Sequence, residues 1–112
     1  MNIEQLRDFC INKIGVKETF PFNAETLVFK VFGKVFLITP IASKPVRINI
    51  KCNPITAIEL REKYSCVLPG FHMNKKHWNT IICDGSVNDK LIKEWIDDSY
   101  KLIVEKLPKK KK

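Results

Sequence analysis

No stretch of this 112-residue chain approaches the ~20 consecutive apolar residues of a membrane-spanning helix; among its longest apolar runs are residues 35–38 and 81–83. The first residues carry no basic stretch followed by an apolar one, so no export signal is expected. Close cysteine pairs are also missing. Cys10, Cys52, Cys66 and Cys83 are scattered and mostly sit in apolar settings, which favours reduced thiols and a cytoplasmic protein over a disulfide scaffold. The chain has no phosphate-binding loop, no G-x-G-x-x-G and no H-E-x-x-H, and its one adjacent carboxylate pair is Asp97-Asp98, expected on a solvated helix. Without a nucleophile or an acid/base pair at a recognisable spacing, neither catalysis nor a cofactor is expected. Cys66, His72, His77 and Cys83 have the right chemistry for zinc. Their separations, however, lack the short C-x2-4-C pairing of most zinc sites, so no metal is expected.

Acidic residues are scarce in the middle of the chain. Residues 34–80 hold only Glu59 and Glu62 against eight Lys or Arg, whereas residues 1–33 balance four against four. Residues 81–107 have an acidic excess of six to four, and residues 108–112 add four lysines. A net charge of +8 segregated in this way makes a basic patch that attracts phosphates.

What is present suffices for one folded domain, with 45% hydrophobic and 29% charged residues. Asn2 and Gln5 are spaced as a capping box, and an apolar face continues to Ile14 before Gly15, predicting a helix over residues 3–14. A connector containing Phe20-Pro21-Phe22 leads to two β-rich runs, residues 27–32 and 35–39, joined by Gly33-Lys34 as a hairpin. Residues 46–51 alternate strictly, predicting a strand with Val46, Ile48 and Ile50 inward and Arg47, Asn49 and Lys51 outward. Asn53-Pro54 starts a helix to about residue 64, anchored by Ile55, Ile58 and Leu60. A strand over residues 78–83 and a long amphipathic helix over residues 88–106 follow. The class is α+β: one two-layer domain over residues 1–107, an antiparallel sheet with helices packed on it, and a disordered basic tail over 108–112.

The densest chemistry lies in residues 68–80, which hold both histidines, Lys75-Lys76 and Trp78. Pro69-Gly70 predicts a tight turn, with glycine tolerating φ > 0. Lys34, Arg47, Lys51, Lys75 and Lys76 are the candidate phosphate contacts, and Asn49, His72, Asn74, His77 and Asn79 the candidate hydrogen-bonding partners of phosphates or base edges. Trp78 is suited either to stacking or to the core. Packing is favoured, because a tryptophan that begins an apolar strand buries a large area.

The motif Pro69-Gly70-Phe71-His72-Met73-Asn74-Lys75-Lys76-His77-Trp78-Asn79 carries a resemblance, together with Gly33-Lys34-Val35-Phe36, Lys51, Ser99-Tyr100-Lys101-Leu102-Ile103 and Leu107-Pro108-Lys109-Lys110. On these residues the chain resembles the MmcQ/YjbR family of small bacterial proteins over nearly its whole length. That resemblance implies an α+β domain in a double-wing arrangement and a family designation of DNA-binding protein, with no catalytic residue or cofactor to carry over. The expected function is non-enzymatic binding of double-stranded DNA through its phosphates, with little sequence discrimination. The alternative is a module that docks an acidic protein partner. No membrane partner is expected, and a monomer is the expected state.

Overall fold

Gln5 N–H donates to Asn2 Oδ1 at 2.8 Å and Asn2 N–H to Gln5 Oε1 at 3.0 Å, closing the predicted capping box. In the computed structural model, which describes residues 1–108, this box opens helix α1, Ile3–Ile11. The helix ends three residues earlier than its apolar face suggests. Asn12 caps it, Lys13 N–H bonds back to the Cys10 carbonyl, and Ile14 is left exposed. Gly15, at φ +78 beneath the Phe32 ring, then turns the chain into β1, Val16–Thr19, where periodicity predicts only a connector.

Strands β2 (Thr26–Val31) and β3 (Lys34–Pro40) form the expected hairpin around Gly33, which stands at φ +83. There follow β4 (Arg47–Lys51), α2 (Pro54–Lys63), β5 (Val67–Pro69), β6 (Trp78–Ile82) and α3 (Asp89–Glu105). The six strands form one antiparallel sheet in the order β1-β2-β3-β4-β6-β5. The class is α+β as predicted, with a layer of helices on a sheet. Of the basic tail, residues 109–112 lie outside the described residues.

The core fills the space between the sheet and the helices. Leu27, Phe29, Phe36, Leu37, Ile48, Ile50 and Ile81 meet Leu6 and Cys10 of α1, Ala57 of α2, and Ile92, Trp95 and Ile96 of α3. A register shift after Phe29 sets Phe36 as an extra residue in β3, so Phe36 and Leu37 both reach the core. Of the three anchors expected in α2, Leu60 is used, and Ile55 and Ile58 are not. Ile55 and Ile58 are 70% and 54% exposed, while Ala57 is buried and Leu60 and Tyr64 pack inward. The helix is rotated so that the 57-60-61-64 stripe meets the sheet, with the Tyr64 ring edge-on to Trp95 at 5.1 Å.

All four thiols are buried. Burial excludes water from the thiolate and pushes Cys10 up to about 12 and Cys52 and Cys83 each to about 11. At pH 8 these three are expected to react with a thiol reagent at least ~100-fold more slowly in the native than in the urea-unfolded chain, as a timed alkylation would read. Unfolded thiols ionise first, so the folded state loses stability as pH rises above about 8.5.

Candidate functional site

Alternation along β4 sends Ile48 and Ile50 toward the helices and Arg47 and Asn49 to the opposite face of the sheet. Val35 and Ile38 of β3 and Trp78 of β6 join them there. Together with Phe22 and Phe71 they line a groove of about 560 Å³, and no carboxylate is among its described lining residues.

The loop over residues 70–78 builds one wall of that groove from two successive turns. Met73 N–H bonds to the Gly70 carbonyl, placing Phe71 and His72 at the bend, and Phe71 N–H donates to Thr80 Oγ1 at 2.9 Å. The Asn74 carbonyl then accepts from His77 and Trp78 N–H at 3.2 and 3.0 Å. The turn differs from its predicted chemistry, because the positive φ falls on His72 (φ 58) and not on Gly70. Glycine is required at 70 for space. A Cβ there would lie 2.8 Å from Trp78 Cβ and 2.9 Å from the Trp78 carbonyl oxygen.

The structure sorts the predicted contact residues into separate roles. Asn49 is buried and accepts from the Thr80 hydroxyl. Asn74 Oδ1 accepts from Lys76 N–H at 2.9 Å, which closes its own turn. Asn79 is fully buried, accepting from Arg61 Nε at 2.7 Å and donating to the Ala57 carbonyl at 3.2 Å. Asn49 ties β4 to β6 through the Thr80 hydroxyl, Asn79 ties β6 to α2, and Asn74 fixes the loop, so each side-chain oxygen is already engaged within the fold. His77 is half-buried, its carbonyl accepting from Cys52 N–H at 2.7 Å, whereas His72 is exposed at the groove.

Among the cations, Lys34 and Lys76 are exposed, and Lys75 is exposed with its Nζ donating to the Gly70 carbonyl at 3.1 Å. Leu37 pairs with Ile50 and Lys51 with Trp78, so the start of β3, the end of β4 and the loop before β6 share one end of the sheet. Lys34, Lys51, Lys75 and Lys76 therefore gather at that end, while Arg47 stands on the groove. Lys51 also borders a cleft of about 260 Å³ between α2 and α3, together with Asp98 and Lys101. Burial raises the Asp98 carboxyl above its ordinary value.

Trp78 is half-buried and lines the groove, so the expectation that it packs in the core is corrected; the core tryptophan is Trp95. Trp78 stands on the face of the sheet away from the helices, beside Arg47 and Phe71. Sequence reasoning missed Arg61. This side chain reaches Asn79, the Lys75 carbonyl and the Trp78 carbonyl at once, and so fixes the basic loop to α2. Its signal was an arginine one turn beyond Ala57 on the inward stripe. No three His, Cys, Asp or Glu side chains among the described residues come together as a metal site. Tyr100 lies on the helix side, edge-on to Phe36, with its hydroxyl donating to the Ile14 carbonyl at 2.6 Å. No helix among the described residues is long and apolar enough to cross a membrane.

The YjbR family model matches residues 12–102. An Escherichia coli protein named YbdF, described as uncharacterised, is 34% identical over 95 residues, covering 85% of this chain and 78% of its own. The equally uncharacterised YjbR of Escherichia coli is 32% identical and covers 100% of this chain and 95% of its own length. A crystal structure of a Deinococcus radiodurans protein superposes with a TM-score of 0.93 at 37% identity, over 98% of this chain and 84% of that one. A Pseudomonas syringae protein gives 0.78 at 28% identity, over 91% and 98%.

Proposed function

The chain belongs to the YjbR family, and from that premise we propose that it is a non-enzymatic DNA-binding protein that holds the phosphate backbone at the basic end of its sheet. The observation that carries this reading is the gathering of Lys34, Lys51, Lys75 and Lys76 from three separate segments at one sheet end, with Arg47 on the adjoining face. Cations brought together from distant sequence positions repel one another, and an anionic ligand relieves that repulsion. The buried asparagines leave few side chains for reading base edges, so binding is expected to discriminate little between sequences.

Titration of a labelled duplex at several salt concentrations tests this. With four to five phosphates engaged, log K should fall against log salt with a slope of roughly −4. The double variant Lys34→Glu/Lys76→Glu should weaken binding on every sequence alike and make the slope shallower by about 2. Absence of micromolar binding to single or double strands at low salt overturns the proposal.

A second reading has its own observation. Ile55 and Ile58 are exposed on α2, whose first turn adjoins the same sheet end, as befits docking of an acidic protein partner with an apolar contact. A pull-down with and without nuclease separates the two. Partners lost on nuclease treatment support DNA, and partners retained support docking.

A further inference from the structure

The groove is richer in rings than a surface that grips only phosphates requires. Phe22 is 69% exposed, Phe71 is 57% exposed, and both line one concavity with the half-buried Trp78. The Arg47 guanidinium lies 5.6 Å from the Phe71 ring centroid, and the His72 ring lies 4.1 Å from it. His72 holds a left-handed backbone that a residue with a Cβ disfavours, and its ring stands beside Phe71 at the groove.

Resting on the DNA reading above, we propose that this groove is a stacking site for unpaired bases, so that the ligand is single-stranded DNA. Duplex bases are stacked and paired, and offer no face to Phe22, Phe71 or Trp78. A single strand can turn its bases onto those rings while its phosphates meet Arg47 and the lysines at the sheet end. Charge complementarity selects this occupant. Arg47 is cationic, no carboxylate is among the described lining residues, and the rest of that lining is largely apolar or aromatic. A lipid chain would strip water from Arg47 without replacing it. An acidic peptide would satisfy Arg47 and leave most of the ring surface uncovered.

The experiment compares three labelled ligands of equal length against the full chain at low salt: single-stranded oligothymidylate, a mixed-sequence duplex and an abasic oligodeoxynucleotide. Oligothymidylate should bind at least about tenfold tighter than the abasic strand, since base–aromatic stacking contributes roughly 5–150-fold per base. Phe71→Ala should remove most of that advantage without changing the salt slope, and Phe71→Tyr, which keeps a ring, should restore it. Equal affinity for the abasic strand and oligothymidylate, or a preference for duplex, overturns the stacking site and leaves the phosphate-binding proposal standing. Failure of all three ligands to bind overturns both.

Discussion

Ser99→Ala is expected to destabilise the protein by about 2–5 kcal/mol, although it removes a single oxygen atom. Ser99 sits fully buried on α3, where its hydroxyl donates to the Phe36 carbonyl at 2.7 Å and accepts from Lys51 N–H at 2.9 Å. Regular pairing of β3 with β4 covers Leu37 with Ile50 and Ile38 with Asn49, and the Phe36 bulge lies just beyond it. At that point the serine replaces the missing rung, and alanine would leave a backbone donor and a backbone acceptor without partners, each costing about 1–3 kcal/mol. For a domain of this size the melting temperature should fall by roughly 10–25 °C. Tyr100→Phe makes the comparison, because it removes one more exposed bond, to Ile14, and should cost only about 0.5–1.5 kcal/mol. Equal melting temperatures for Ser99→Ala and the parent would show that the hydroxyl carries no such role.

Gly70→Ala is expected to cost about 2–3 kcal/mol and to displace the groove loop. The added Cβ meets the Trp78 carbonyl oxygen at 2.9 Å and Met73 Cβ at 3.0 Å, and the carbonyl cannot swing away without breaking its bond from Gly70 N–H. Gly85→Ala is the control. That residue stands at φ +90 with open space around it, so alanine there meets backbone strain alone, about 1–2 kcal/mol. Hydrogen exchange separates the two variants. Gly70→Ala should speed exchange at Phe71 and Trp78, whose amides hold the loop, whereas Gly85→Ala should leave those amides protected.

Most of the architecture was legible because periodicity and punctuation agree along much of the chain. Asn2 with Gln5, Asn53 with Pro54, and Asn88 before the long apolar stripe each place a helix start where the structure has one. The two strands that escaped notice are β1 and β5, four and three residues long at the two edges of the sheet. Such strands need no long apolar run, since they bury little and are held by pairing with a longer neighbour. The rotation of α2 was illegible for a different reason. Its sequence offers two apolar stripes, and only contact with β6 and Trp95 selects the one containing Ala57 and Arg61.

The candidate site divides along the same line. By itself the sequence determined that the charge is segregated, that residues 68–80 form a turn rich in cations and rings, and that the family is YjbR, since all three are properties of residue order. Only the tertiary structure decided which of those groups face outward. Strand pairing carries Lys34, Lys51 and Lys76 to one sheet end, hydrogen-bond demands draw Asn49 and Asn79 inward, and Asn74 stays exposed while closing its own turn. The physical reason is that burial and hydrogen-bond satisfaction are settled between residues distant in sequence, so a side chain's identity states what it can bond but not what it meets.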